Sequence, residues 1–155
     1  MWWRLTNAQF EKQKGEVNRQ ALKELVDSGK TPGLLAYDGA RPIGWCSLAP
    51  REEYARLARS RILKPVDDTS VWSVVCFFVD KDYRARGVSG QLLEAAKDFM
   101  QHAGGRMLEG YPVEPKKDRV PALFVFTGLA AAFANAGFTE CARRSPTRPI
   151  MRYPG

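Results

Sequence analysis

Cysteine, histidine and long apolar runs are all scarce in this chain. Cys46, Cys76 and Cys141 are an odd number, lie far apart and form no Cys-x-x-Cys pair, so neither a disulfide framework nor a zinc site is indicated. The single histidine, His102, falls near the end of a predicted helix, where a partial negative charge favours a cation and a surface role. No stretch approaches the length of a membrane span, and the opening MWWRLTNAQFEKQKGE lacks the apolar run of a secretion signal. The expected setting is a reducing cytoplasm, with no membrane. Common phosphate and nucleophile motifs are missing too. RARGVSG lacks the Lys-Ser/Thr ending of a nucleotide-binding P-loop, and no GxGxxG follows an early strand. GVSGQ puts Gln91 where a nucleophile elbow needs glycine, which disfavours a serine hydrolase.

What is present suits one globular domain over residues 1–155, with 45% hydrophobic and 26% charged residues. Lys and Arg total 24 against 17 Asp and Glu, a formal charge of +7, which favours anionic ligands without naming one. Thr6 and Gln9 have capping-box spacing, and Phe10, Val17, Ala21, Leu22, Leu25 and Val26 then recur at helical intervals until Gly29, predicting one long first helix. GLLAYDGARPIGWCSL predicts a hairpin turning at Asp38-Gly39. Residues 51–64 read as helical or irregular, with Arg51, Arg56, Arg59, Arg61 and Lys64 on a solvated face.

The stretch SVWSVVCFFV, Ser70 to Val79, is β-branched, aromatic and almost wholly apolar, as expected of a central strand covered on both faces. Cys76 within it reads as a small buried hydrophobe. Trp2, Trp3, Trp45 and Trp72 also fall in segments read as strands, which places them in the core or in pocket walls. Leu92, Leu93, Ala96, Phe99, Met100 and Ala103 form one apolar helical face ended by Gly104-Gly105, and RMLEGYPV is another strand. Thr127 is placed to cap a helix over GLAAAFANAG that Gly137 ends, and FTECARRSPTRPIMRY contributes the last strands. The fold class is α/β (α+β), with a strand–helix–strand crossover at its centre.

Between that strand and that helix lies DKDYRARGVSG. A helix starting near Ser89 leaves its first N–H groups unpartnered and carries partial positive charge there, which attracts phosphate. Gly87 and Gly90 permit a tight turn and close approach of a ligand, and Arg84 and Arg86 add charge.

At these residues the sequence resembles the GNAT superfamily of acyl-CoA-dependent N-acyltransferases, whose signature is Arg/Gln-x-x-Gly-x-Gly/Ala. Arg84, Gly87 and Ser89 occupy its three positions, with Ser departing from Gly or Ala. FANAGFTECARR resembles the family's later helix, Gly-Phe and following strand, and the element order also matches, beginning with a first strand and helix. The resemblance implies a single domain with a central mixed, mostly antiparallel sheet. It implies acetyl-CoA as co-substrate without a metal, its diphosphate on Arg84, Ala85, Arg86, Gly87, Val88, Ser89 and Gly90, and its pantetheine arm along Phe77, Phe78 and Val79. A primary amine of a small molecule or peptide would then attack the thioester directly. Many relatives carry a Tyr as the thiolate's acid where this chain has Phe133, and some a base Glu where it has Ser73. Glu109 and Tyr111, on the neighbouring strand, are the replacements the resemblance suggests. Other readings stay open at this point. One is a polyanion or nucleic-acid binding module, drawing on +7 and on Arg143, Arg144, Arg148 and Arg152. Another is a GNAT domain that binds acetyl-CoA without turnover. A homodimer is left open, and no sequence-specific nucleic acid is expected.

Overall fold

The computed structural model describes residues 1–116 and 125–155. Helices α1 (Asn7–Lys12) and α2 (Glu16–Asp27) lead into strands β1 (Gly33–Asp38) and β2 (Arg41–Pro50). A 3-10 turn, Arg51–Glu53, precedes helix α3 (Ala55–Arg59), and then come strand β3 (Trp72–Val79) and helix α4 (Val88–His102). The chain ends with β4 (Met107–Gly110), α5 (Ala130–Asn135), β5 (Thr139–Arg143) and β6 (Pro149–Pro154). The six strands form one sheet in the order β1-β2-β3-β4-β6-β5. Among the described strands only β3 and β4 pair in parallel, because α4 carries the chain back across the sheet between them.

The start departs from expectation in two ways. Residues 1–5 form turns, so no strand precedes α1. The capping box is present, with the Gln9 N–H donating to Thr6 Oγ1 at 3.3 Å and the Thr6 N–H donating to Gln9 Oε1 at 3.0 Å. The predicted single helix is nevertheless broken at Gly15, whose φ of +75° only glycine adopts without strain. The hydrophobic pattern alone did not reveal the interruption because both pieces keep the same period. The hairpin and the central strand are as expected.

The sheet has two covered faces. On one, Val88, Leu92, Leu93, Ala96 and Met100 of α4 pack against Ile43, Cys46, Leu48, Val74, Phe77, Leu108 and Met151. Each fully buried large side chain there contributes roughly 1.5–3 kcal/mol. Gly44 brings the first turn of α4 close, since a Cβ on it would sit 2.9 Å from Val88 Cγ1. On the other face, Ala49, Tyr54, Leu57, Leu63, Val75, Tyr111 and Ile150 form a second cluster, closed over by Trp3 and by the segment from Tyr54 to Val66. No helix among the described residues is long and apolar enough to cross a membrane.

Two irregularities in the middle of the sheet set up the site. Ser47 pairs with Cys76 and Leu48 with Val74, which leaves Val75 as an extra residue in β3, a β-bulge. The parallel pairing of β3 with β4 ends at Val74 and Gly110. Beyond that point the two strands part, and the Phe126 carbonyl accepts from the Phe77 N–H at 2.6 Å. Val113 and Leu129 are held together by a parallel bridge. Thr127, expected to cap α5, is instead fully buried, and Leu129 occupies the cap position without a side-chain bond.

Candidate active site

The loop between β3 and α4 is built as an anion cradle. Gly87 is the N-cap of α4 in the left-handed conformation, φ +82° and ψ 1°, and Ala85 also has positive φ, at +58°. Among the described residues, the N–H groups from Ala85 to Gly90 have no hydrogen-bond acceptor, the first helical bond running from Gln91 to the Gly87 carbonyl. A run of free amides at the positive end of a helix of this length is a ready phosphate site. A Cβ added at Gly87 or Gly90 would meet nothing within 4 Å, so the cradle is open. Arg84 Nε donates to the Val79 carbonyl at 3.2 Å, and the Arg86 guanidinium lies 5.4 Å from the centre of the Tyr83 ring. Both arginines are thereby set beside the cradle rather than across it. The acidic turn before it is tied down, with Arg41 bonded to Asp80 at 2.8 Å.

From the cradle, β3 leads back to the bulge. Phe78 is exposed and Val79 half-buried, while Phe77 faces the α4 side of the sheet. Because the Phe77 N–H already donates to Phe126, a ligand strand pairing at that position must displace this bond. The bulge re-aims the next side chain: Val75 and Cys76 both face the second cluster. There Cys76 lines a cavity of about 100 Å³ with Trp2, Trp3, Arg4, Trp45 and Tyr54. A phosphate cradle thus lies at one end of a short strand segment, and an aromatic pocket opens at the bulge on the other.

Known proteins share this fold. A model described as the acetyltransferase (GNAT) family matches residues 1–122. The chain belongs to the GNAT acetyltransferase family. A GNAT-family acetyltransferase from Listeria monocytogenes superposes with a TM-score of 0.59 at 9% identity, covering 97% of this chain and 77% of that one. The ribosomal-protein-alanine N-acetyltransferase of Brucella melitensis gives 0.55 at 19% identity, with coverage of 90% and 78%. The NatC complex bound to Gag peptide and CoA gives 0.53 at 16% identity, with coverage of 92% and 82%. At such identities the likeness establishes the fold. No curated protein matches the chain.

Within this GNAT domain the two residues suggested for proton transfer sit deep in the second cluster. Glu109 is 1% exposed and Tyr111 is fully buried. Glu109 Oε1 accepts from Arg51 Nη1 at 2.8 Å and from the Tyr111 hydroxyl at 2.6 Å, and Oε2 accepts from Arg152 Nε at 2.7 Å. Arg152 also holds Asp67 in a two-pronged bond, at 2.6 and 3.0 Å. Ser73 Oγ lies 2.9 Å from the Tyr111 oxygen. Burial first, and then the Glu109 carboxylate, push the Tyr111 phenol well above its ordinary pKa. Buried Glu109 is matched by Arg51 and Arg152, and Arg152 in turn by Asp67 at the exposed rim, so the charges of the network balance. Both Glu109 oxygens are occupied by guanidinium donors, which leaves the carboxylate little freedom to accept a substrate proton.

The basic residues differ from expectation in the same direction. Arg51, assigned to a solvated face, instead turns inward to Glu109, Tyr111 and the Leu63 carbonyl. In the basic tail, Arg143 pairs with Glu114 and Glu140, Arg144 donates to the Lys64 and Pro65 carbonyls, and Arg152 is buried. Three of the four arginines invoked for polyanion binding are therefore engaged within the fold. Phe133 is wholly buried, its ring edge-on to Phe77 at 6.0 Å and to Phe138 at 5.0 Å. It fills core space at the position where the resemblance led one to expect a tyrosine acid. His102 is exposed, with Nδ1 2.7 Å from the Asp98 carbonyl oxygen. Sequence reasoning missed Arg4 and Tyr54 as pocket residues, whereas Trp2, Trp3 and Trp45, expected in the core or in pocket walls, line it. The aromatic pair followed by arginine in WWR was the one local hint.

Proposed function

We propose that this GNAT domain transfers an acetyl group from acetyl-CoA to a primary amine of a small molecule or peptide. The carrying observation is the row of acceptor-free amides from Ala85 to Gly90, opening beside a bulged strand that has parted from its neighbour. In this reading those amides, with Arg84 and Arg86, hold the diphosphate of coenzyme A. Phe77, Phe78 and Val79 orient the pantetheine arm, which requires the Phe126 carbonyl to release the Phe77 N–H. The acyl group then reaches the bulge beside Cys76, where an amine in the aromatic pocket meets it. Holding amine and thioester together supplies much of the acceleration. The network of Arg51, Ser73, Glu109, Tyr111 and Arg152 braces the parted strands, with Tyr111 supplying a neutral hydroxyl. The cytoplasm suits such a protein.

Calorimetric titration with acetyl-CoA tests the reading. Saturable binding is expected, and at 100 times the dissociation constant it should stabilise the fold by about 2.7 kcal/mol. Absence of binding would remove the proposal. Binding with no thiol release for any amine would instead favour a non-catalytic acetyl-CoA-binding domain, a reading to which the buried Phe133 lends weight.

A further inference from the structure

The aromatic pocket at the bulge is equipped for more than an amine. Of the side-chain donors buried without an acceptor among the described residues, two belong to its walls: Trp3 Nε1 and Arg4 Nη2. Arg4 is held in place on its other side, Nη1 pairing with Glu53 and the guanidinium lying 4.9 Å from the centre of the Tyr54 ring, and its side chain is 9% exposed. A third such donor, Arg56 Nη2, belongs to a guanidinium stacked 3.5 Å from the centre of the Trp2 ring, itself a pocket wall. Leaving a buried donor unpaired costs about 1–3 kcal/mol, and more when it is charged. The two in the pocket's own walls, Trp3 Nε1 and Arg4 Nη2, point to a partner that arrives with the ligand.

Charge narrows the partner. Arg4 and Arg56 bring two positive charges, and among the described residues Glu53 is the one carboxylate paired with either. Met1 adds its amino terminus to the same wall, so positive charge is in surplus beside a pocket whose other walls include Trp2, Trp3, Trp45 and Tyr54. Size narrows it further. At about 100 Å³ the cavity is smaller than one that holds benzene, roughly 150 Å³.

Resting on the acetyltransferase reading above, we propose that the acceptor is a compact amino acid: a primary amine with a small apolar body and a carboxylate that meets Arg4 and Trp3. The amine is then directed to the thioester carbonyl beside Cys76. The carbon–sulfur bond breaks as the carbon–nitrogen bond forms. Of the two protons the ammonium gives up, one goes to solvent and one ends on the departing sulfur, so coenzyme A leaves as the thiol.

The test compares glycine, alanine and valine with ethylamine, isobutylamine and alaninamide, following acetyl-CoA-dependent thiol release by the full chain. Rates are compared per concentration of neutral amine, so that amine basicity does not enter. Alanine should exceed ethylamine, and valine isobutylamine, by about ten- to a hundredfold in kcat/KM, the effect of a charge-assisted hydrogen bond. Alaninamide should fall near ethylamine. Trp3→Phe keeps an aromatic ring in the wall and removes the indole donor; it should reduce the ratio of alanine to ethylamine kcat/KM several-fold without changing acetyl-CoA affinity. Arg4→Gln should abolish the advantage. Should Arg4→Gln fail to fold, the Trp3→Phe ratio still decides. Equal turnover of alanine, alaninamide and ethylamine overturns the inference, as does the absence of amino-acid turnover in a protein that binds acetyl-CoA. Failure to bind acetyl-CoA would overturn the acetyltransferase reading itself, a separate outcome read by calorimetry.

Discussion

The cradle and the buried charge network lie at the two ends of the same strand, and they are opposites in construction. The cradle is seven consecutive residues, Arg84 to Gly90, open to solvent, with N–H groups from Ala85 to Gly90 that nothing among the described residues satisfies. The network gathers Arg51, Asp67, Ser73, Glu109, Tyr111 and Arg152 from separate segments, and its principal donors and acceptors are closed on one another. Unsatisfied polar groups at a surface mark a place for a ligand, because water can be exchanged for it at little loss. Satisfied ones in the interior mark a brace, because removing any member strands the others. By that criterion Glu109 is conspicuous for its chemistry yet reads as structure, while the glycine loop is chemically plain and reads as function.

The largest expected effect tests the brace. Glu109→Gln leaves Arg51 and Arg152 facing a neutral amide, and breaking a buried pair in this way typically destabilises by about 3–5 kcal/mol. Urea unfolding measures it. A loss below about 1 kcal/mol, together with turnover that recovers at high pH, would return Glu109 to the role of general base.

The second effect tests the cradle. Gly87→Asp places a carboxylate among the free amides and forces a side chain into left-handed backbone, which costs about 1–2 kcal/mol. Acetyl-CoA affinity should fall at least a hundredfold while the fold persists. Unchanged affinity by calorimetry would move the site elsewhere.

Tyr111→Phe is intermediate. It strips one hydroxyl from Arg51, Ser73 and Glu109 and should destabilise by about 1–3 kcal/mol. If Tyr111 also passes a proton, turnover should drop about two to four orders of magnitude with acetyl-CoA binding intact. A drop no larger than that of a core variant of equal stability, such as Leu93→Ala, would confine Tyr111 to bracing.

The smallest effect is acid sensitivity at the rim of the network. Hydrogen bonds from Arg152 hold the Asp67 carboxyl below its ordinary pKa. A folded-state pKa below the unfolded value of about 3.9 means the contribution is full above that pH and is lost as pH falls below it. Asp67 is solvent-exposed in part, so the loss is modest. Asp67→Asn should narrow the stability gap between pH 6 and pH 3; an unaltered gap would detach Asp67 from the network.

Local chemistry made the cradle legible from the chain alone. Glycine spacing, flanking arginines, an apolar strand before and a helical period after it are all properties of adjacent residues, and so were the capping box, the hairpin and α4. Other features depended on contacts between distant segments. The break at Gly15 follows from a backbone angle that the hydrophobic period does not encode. The inward turn of Arg51 depends on Glu109, 58 residues away. The bulge at Val75 exists only as a mismatch in register with β2, and it alone brings Cys76 to the same face as Val75 and so to the pocket. Backbone preference and helix electrostatics act over one or two turns, so a single stretch of sequence carries them. Burial, charge pairing and strand register are relations between segments, and they exist only once the sheet has brought those segments together.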